Sequence, residues 1–194
     1  MIYYVQGSFE IIKPDNREID MDTINKLAQQ IKLVIFDIDG VLTNGTLFFD
    51  NDGQEYKAFH SKDGHGMRML MECGLQAAII TGRQSQVVEH RMQDLGVDIV
   101  YQGYRDKRPA FAKLLQQTGL DAKNIAYMGD DVIDLPVMTQ VGMAIAVADA
   151  HPFVIKHADH VTQTRGGQGA AREAIEFILQ SQGLLQAKLE TYLA

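Results

Sequence analysis

Cysteine and long apolar runs are nearly absent from this sequence. Cys73 is the single cysteine in 194 residues, so an internal disulfide is excluded and a reducing compartment is favoured. We interpret Cys73 as a small apolar residue buried at a helix end. No stretch approaches the length of a membrane-spanning helix, and residues 1–9 lack the basic start and apolar core of a signal peptide. The expected location is therefore the cytoplasm, with no membrane partner.

Basic residues are also fewer than acidic residues. The 18 Lys and Arg residues stand against 25 Asp and Glu residues, which gives a net charge of -7 and argues against a nucleic-acid partner. The length suits one main domain. We predict an N-terminal extension with a short helix at residues 1–30, the domain at 31–180 and a C-terminal helical tail at 181–194. Residues 2–5 and 9–12 are candidates for a short extra strand.

One apolar run ends abruptly in paired carboxylates. Residues 33–36 are Leu, Val, Ile and Phe, and Asp37 and Asp39 follow. Four large apolar residues in a row indicate a strand covered on both faces. Because residues i and i+2 of an extended chain point to one side, we expect both carboxylates to emerge together at the carboxyl end of this strand. In open α/β sheets that edge is where ligands bind.

The remaining pattern alternates strands with helices. A turn-rich stretch at residues 50–53 predicts a β-hairpin flap at about 46–60. Further strands are predicted at 75–80, 99–101, 125–128, 143–146 and 160–161, and helices at 23–30, 84–95, 107–118, 135–140 and 151–157. Repeated βα order with right-handed crossovers predicts an α/β fold, a doubly wound, Rossmann-like parallel sheet. The spacings leave no room for a large cap domain.

An apolar stripe marks the last predicted helix. Either a partner subunit or the domain's own flank could cover it. Its members are Leu184, Leu185, Leu189, Tyr192 and Leu193.

Later core strands are also followed by residues whose side chains or backbone N–H groups can bind a phosphate. Thr81, Gly82 and Arg83 follow the second strand, Lys107 the third and Asp130 the fourth. A lone Asp-x-Asp is weak evidence because aspartates are common in turns, but four such strand ends in order form a specific pattern. The alternative for Lys107 is a solvated helix-start residue, where the helix dipole disfavours a cation by about 1 kcal/mol or less.

These residues match what phosphate-ester hydrolysis requires. Mg²⁺ prefers oxygen ligands, which Asp37 and Asp130 can supply. Asp37 can attack phosphorus to form an aspartyl-phosphate, and Asp39 can protonate the leaving oxygen and later deprotonate the attacking water. Asp134 could cap the next helix, hold Lys107 in position, or do both. The donors to the developing negative charge are Thr81, Gly82 and Lys107.

The four strand ends resemble the motifs of the haloacid dehalogenase superfamily of aspartyl-phosphate phosphatases. They read DIDGVLT at 37–43, TGR at 81–83, Lys107 and GDDVID at 129–134. The resemblance spans about 30–180 and implies a capless, Mg²⁺-dependent enzyme. It places the metal on Asp37, Asp130 and the backbone carbonyl of Asp39, with Asp131 and Asp134 behind these ligands.

Four further segments are similar to the 3-deoxy-D-manno-octulosonate 8-phosphate phosphatase family. They lie at 59–66, 79–85, 102–107 and 165–173. This resemblance implies hydrolysis of that phosphorylated sugar acid in a homotetramer whose hairpins and C-terminal tails close neighbouring active sites. It also places Arg83 at the substrate carboxylate, and a structural salt bridge is the alternative.

A glycine-rich loop near the C-terminus is a second candidate for substrate contact. Gly166, Gly167 and Gly169 permit close backbone approach and an anion-binding nest, and Arg165 and Arg172 flank it. Arg172 falls in a first helical turn, where the dipole disfavours a cation, so a sugar-acid carboxylate would explain it. A solvated arginine beside the loop is the alternative.

Three other functions share some of these features. Receiver domains use the same residue types as a phosphorylation switch, but their phosphoacceptor follows a later strand, whereas this chain has Asp-x-Asp at the first. A non-catalytic scaffold is disfavoured because every motif position holds a competent residue. Among enzymes, the alternative is a phosphatase for a nine-carbon, sialic-type 9-phosphate.

Overall fold

The protein is built around a six-stranded parallel sheet. The computed structural model describes residues 21–193. The candidate strand segments at 2–5 and 9–12 lie outside the described residues. The strands are Leu33–Phe36 (β1), Phe48–Phe49 (β2), Glu55–Tyr56 (β3), Gln76–Ile80 (β4), Ile99–Tyr101 (β5), Ile125–Gly129 (β6), Met143–Ala146 (β7) and His160–Val161 (β8). The helices are Met21–Gln29 (α1), Ser61–Glu72 (α2), Gln86–Leu95 (α3), Arg108–Thr118 (α4), Leu135–Met138 (α5), Pro152–His157 (α6), Ala170–Ser181 (α7) and Leu185–Glu190 (α8).

The strand order of the main sheet is β5-β4-β1-β6-β7-β8, with every neighbouring pair parallel. The predicted doubly wound α/β fold is therefore confirmed. Helix α2 packs against α3 and α7, while α5 packs against α4 and α6. Right-handed crossovers place these two groups on opposite faces of the sheet. The strand order reverses between β1 and β6, so the loops after these two strands border the crevice where such sheets bind ligands.

Strand β1 is the centre of the core, and all its residues are fully buried. It ends at Phe36, and the chain then turns. The carbonyl oxygen of Ile38 accepts hydrogen bonds at 3.0–3.3 Å from the N–H groups of Val41, Leu42 and Thr43. The alternation of an extended strand therefore does not reach Asp39, and Asp37 and Asp39 have different partners.

The predicted flap is present as the antiparallel pair β2 and β3, inserted between β1 and α2. The side chain of Asp50 holds its turn, accepting hydrogen bonds from the N–H groups of Asp52 at 3.0 Å and Gln54 at 2.8 Å. Phe48, Phe49 and Tyr56 are exposed on the hairpin.

The C-terminal segment forms two helices, α7 and α8. Leu184 and Leu185 pack against the core, whereas Leu189, Tyr192 and Leu193 are exposed. Lys188 lies 2.5 Å from Glu72 of α2. The domain's own flank therefore covers the inner part of the apolar stripe and leaves its outer part in contact with solvent.

Cys73 lies just after α2 and is only partly buried, and burial raises the pKa of its thiol. Within residues 21–193, no helix has both the length and the apolar character that crossing a membrane requires.

Candidate active site

Three carboxylates meet where the strand order reverses. Asp37 follows β1, Asp130 follows β6 and Asp134 precedes α5. One oxygen of each lies within 4.8 Å of the others. The structure thus brings together two residues that the sequence predicted as metal ligands and one predicted to lie behind them.

Lys107 is the cation of this cluster. Its side chain is 0% exposed, and Nζ lies 2.8 Å from Asp37 Oδ2 and 2.5 Å from Asp134 Oδ1. Burial opposes its charge, but the charges of Asp37 and Asp134 outweigh burial and raise the pKa of Lys107. The alternative of a solvated helix-start lysine is wrong, because Lys107 precedes α4 yet extends into the interior.

Tyr127 is a member of the cluster that the sequence analysis missed. It is fully buried on β6, and its hydroxyl donates to Asp134 Oδ1 at 2.6 Å and accepts from Lys107 Nζ at 2.9 Å. The signal was a single tyrosine inside an apolar strand, which is equally typical of an ordinary core residue.

Asp134 holds its neighbours in place through both oxygens. Oδ1 accepts from Lys107 and Tyr127, and Oδ2 accepts from the N–H groups of Asp130 at 3.0 Å and Asp131 at 3.1 Å. No side-chain hydrogen bond from Asp134 caps α5. A Cβ at Gly129 would lie 2.7 Å from the Asp134 side chain, so this arrangement requires glycine there.

Burial and nearby negative charge raise the pKa values of the other two carboxyl groups. Burial, with the nearby charge of Asp134, raises the pKa of Asp37 to about 6 although Lys107 acts against it. Burial and the charges of Asp134 and Asp37 raise the pKa of Asp130 to about 8. Oδ1 of Asp130 is buried and finds no hydrogen-bond partner among the described residues. Hard oxygen donors with too little positive charge around them fit a divalent cation such as Mg²⁺.

Asp39 belongs to a second network at the mouth of the site. Its Oδ1 contacts the ammonium of Lys57, and its Oδ2 lies 3.7 Å from Arg83 Nε. Glu55 of the flap lies 3.3 Å from Lys57 Nζ and 2.9 Å from an Arg83 nitrogen. Two cations and two carboxylates thus join the flap to the loops after β1 and β4. Lys57, which directly follows β3, was missed because a lysine beside a short hairpin strand is usually exposed to solvent.

Thr81 and Gly82 follow β4, which neighbours β1 in the sheet. Thr81 is buried, and its backbone is fixed by a hydrogen bond of 2.9 Å from its N–H group to Tyr101 O. A Cβ at Gly82 would meet Arg105 and Tyr104 at 3.8 Å, which is ordinary van der Waals contact without overlap. Both residues therefore lie at the same sheet edge as Asp37.

The glycine loop packs against the loop that carries Asp39. A Cβ at Gly166 would stand 1.7 Å from Gly40 O, and the N–H group of Gly167 donates to Val41 O at 2.9 Å. The N–H group of Gly166 donates to Asp149 at 2.9 Å. The close approach of the two backbones explains why residues 166 and 167 are both glycine.

The two arginines of this region have partners within the chain. Arg165 lies 3.2 Å from Asp149, and Arg172 lies 2.6 Å from Glu176, one turn further along α7. Their described ion pairs do not join them to the acidic cluster. The buried Asp63 of α2 accepts the N–H group of Arg172 at 2.8 Å, so a carboxylate from another helix caps α7.

Comparison with known proteins gives consistent results. A family model described as haloacid dehalogenase-like hydrolase matches residues 100–173. The 3-deoxy-D-manno-octulosonate 8-phosphate phosphatase KdsC of Escherichia coli K12 is 46% identical over 167 residues, which cover 86% of this chain and 88% of that protein.

Two crystal structures of similar proteins share the fold. The 3-deoxy-D-manno-octulosonate 8-phosphate phosphatase of Yersinia pestis is 44% identical, with a TM-score of 0.83 and coverage of 84% of this chain and 88% of that one. The phosphatase of the same name from Moraxella catarrhalis, in complex with magnesium ion, phosphate ion and KDO, is 36% identical. Its TM-score is 0.87, with coverage of 89% of this chain and 99% of that one.

Proposed function

The chain belongs to the haloacid dehalogenase-like hydrolases and, within them, to the 3-deoxy-D-manno-octulosonate 8-phosphate phosphatases, and on this premise we propose how its residues divide the reaction. The enzyme hydrolyses 3-deoxy-D-manno-octulosonate 8-phosphate to the free sugar acid and inorganic phosphate. Mg²⁺ is its cofactor. The observation that carries the residue roles is the buried acidic cluster around Lys107 at the reversal of strand order.

Asp37 and Asp130 hold the metal, together with the backbone carbonyl of Asp39. The orphaned Oδ1 of Asp130 and the raised pKa values of Asp37 and Asp130 support this assignment. Asp134 has both oxygens engaged, so it acts with Asp131 behind the ligands. Bound there, Mg²⁺ offsets the carboxylate charge and polarises the phosphate oxygens.

Asp37 is the nucleophile. Lys107 Nζ lies 2.8 Å from Asp37 Oδ2 and favours the carboxylate form that the attack requires. An Asp37 oxygen attacks phosphorus, the ester P–O bond breaks, and the sugar oxygen takes a proton from Asp39. A water then attacks the aspartyl-phosphate, Asp39 accepts the water's proton, and Asp37 is released with inorganic phosphate.

The remaining site residues bind the two ends of the substrate. Lys107, the Thr81 hydroxyl and the Gly82 N–H group stabilise negative charge on the phosphate oxygens. Arg83 is 43% exposed at the mouth, where its planar guanidinium can exchange Glu55 for the sugar-acid carboxylate. We assign Arg165 and Arg172 to the outer part of the substrate, which requires them to leave Asp149 and Glu176.

The assembly and location follow from the same proposal. We infer a homotetramer in the cytoplasm in which neighbouring subunits close the active site. The exposed Phe48, Phe49 and Tyr56 of the flap support self-association, as do the exposed Leu189, Tyr192 and Leu193 near the C-terminus, because clustered apolar side chains on a surface often mark an interface.

A substrate panel tests the proposed function. We expect kcat/KM to be higher for 3-deoxy-D-manno-octulosonate 8-phosphate than for a nine-carbon sialic-type 9-phosphate, and lowest for hexose phosphates. The relatives' names support the octulosonate ester over the nine-carbon ester, the phosphorylation switch and the scaffold. Equal rates on hexose phosphates would contradict the substrate assignment, and a single turnover per chain would indicate a switch.

A further inference from the structure

Lys57 is a second buried lysine that contacts one carboxylate of the Asp37 and Asp39 pair. Its side chain is 2% exposed, and it lies directly after β3 of the flap. Nζ contacts Oδ1 of Asp39 and lies 3.3 Å from Glu55 Oε1. Lys107 supplies an ammonium to Asp37 from the start of α4, and the flap supplies another to Asp39.

The two oxygens of Asp39 have different surroundings. Oδ1 is held by Lys57, whereas Oδ2 is buried and makes no hydrogen bond within residues 21–193. Arg83 Nε is 3.7 Å from Oδ2, which is too far for a hydrogen bond. A buried acceptor without a partner is costly, so its presence indicates a group that a ligand completes.

The hairpin does not depend on Lys57 for its own structure. Its turn is held by Asp50, and its strands pair through Phe48 with Tyr56 and Phe49 with Glu55. The ion pair with Asp39 is therefore additional to the bonds that form the flap. It fixes the orientation of one carboxylate that the reaction uses.

We propose that Lys57 is a positioning residue, which binds Oδ1 of Asp39 and thereby aims Oδ2 at the leaving oxygen of the ester. This inference rests on the proposed role of Asp39. In the step concerned, the ester P–O bond breaks, its electron pair goes to the sugar oxygen, and the proton on Oδ2 passes to that oxygen. Proton transfer needs the two oxygens within hydrogen-bond distance, so a carboxylate that rotates freely transfers its proton less often.

Two esters with different leaving groups provide the test. The octulosonate ester expels an alkoxide that needs the proton, whereas para-nitrophenyl phosphate expels a stable phenolate that leaves without it. We expect Lys57→Met to lower kcat/KM about 100-fold for the octulosonate ester and less than about 3-fold for the nitrophenyl ester. An equal loss on both esters, or no loss on either, would overturn the inference.

Matched variants control for folding and charge. Lys62 is an exposed lysine in the first turn of α2, and Lys62→Met should leave both rates unchanged. Lys57→Gln keeps a donor for Oδ1 and should show a smaller but still selective loss. It also replaces Lys57→Met if that variant fails to fold, as judged by circular dichroism. A loss in Lys57→Gln that is equal on both esters would contradict the inference.

Asp39→Asn separates this inference from the function on which it rests. If Asp39→Asn lowers kcat/KM equally for both esters, the role of Asp39 in protonating the leaving oxygen fails, because kcat/KM covers only the steps up to release of the leaving group. If Asp39→Asn is selective and Lys57→Met is not, only the role of Lys57 fails. In the double variant, Lys57→Met should lower kcat/KM for the octulosonate ester by less than about 2-fold beyond the loss that Asp39→Asn causes alone. Losses that multiply would show that Lys57 acts independently of Asp39 and would overturn the inference.

Discussion

Gly166 lies so close to Gly40 that a Cβ on residue 166 would stand 1.7 Å from the Gly40 carbonyl oxygen. The neighbouring N–H group of Gly167 donates to Val41 O at 2.9 Å. The loop before α7 and the loop that carries Asp39 therefore form one packed backbone unit. Glycine is required at residue 166 because no side chain fits between them.

Gly166→Ala should push these two loops apart. We expect the free energy of unfolding to fall by about 1–3 kcal/mol, as in other overpacked sites, and kcat to fall with it because Asp39 shifts. Urea unfolding and steady-state kinetics measure the two effects. Gln168→Ala, an exposed position in the same loop, should change stability by about 0.5 kcal/mol or less. A Gly166→Ala variant as stable as the parent would contradict the close approach.

Asp37→Asn should abolish turnover while preserving the fold. The amide is similar in size to the carboxylate but is a poor nucleophile and a weaker metal ligand, so no aspartyl-phosphate forms. Release of inorganic phosphate and intact-protein mass after mixing with substrate are the measurements. Asp52→Asn, at the exposed tip of the flap, is the control and should retain full activity. Sustained phosphate release by Asp37→Asn would refute the nucleophile assignment.

The metal-free protein should lose stability as the pH rises. Asp37 and Asp130 have pKa values raised from 3.8 to about 6 and about 8. A carboxyl group with a raised folded-state pKa contributes stability that is complete below about pH 4 and is lost as pH rises through the folded value. The melting temperature in a chelator should therefore fall between about pH 5 and pH 8.

Mg²⁺ should reverse this loss, and its effect should grow with pH because the ion binds the deprotonated carboxylates. At about 100 times the dissociation constant, we expect a rise in melting temperature of about 5 °C or more. Asp130→Asn should flatten the metal-free pH dependence above pH 6 and weaken the Mg²⁺ effect. A Mg²⁺ effect that stays constant over this pH range would contradict the assignment.

Arg83→Ala should weaken binding of the sugar acid more than it slows the chemistry. Arg83 is half-exposed and binds Glu55 at 2.9 Å, so it can accept a substrate carboxylate in a bidentate pair. We expect KM for the octulosonate ester to rise about 10-fold or more with a smaller change in kcat. A neutral sugar phosphate should show an unchanged KM, and Arg108→Ala, an exposed arginine paired with Asp106, is the control. An equal rise in KM for both substrates would contradict the role of Arg83.

The fold and the acidic cluster were predictable because their signals are local. Buried strands are continuous apolar runs, and a functional residue at the end of such a strand is adjacent to it in sequence. Asp37 and Asp130 each follow a buried strand directly, whereas Lys107 lies further along the chain from β5, immediately before α4. The strand order then brings them together without further information from the sequence.

The unpredicted residues depend on contacts between distant parts of the chain. Lys57 pairs with Asp39 across 18 positions, Tyr127 bonds to Lys107 across 20, and Asp63 caps α7 across 109. Lysine, tyrosine and aspartate at these positions are also compatible with ordinary strand or helix surfaces. Only the packed structure distinguishes their roles, because burial removes the solvent that would otherwise satisfy them.

The flap can vary independently of the core of the enzyme. Its two strands pair with each other in a separate sheet, so the register of the parallel sheet does not depend on its length or sequence. Hairpins with other surfaces can therefore replace it during evolution while the residues at the strand ends stay unchanged. Substrate choice can diverge by exchange of one short insertion, provided that the new hairpin keeps a cation beside Asp39.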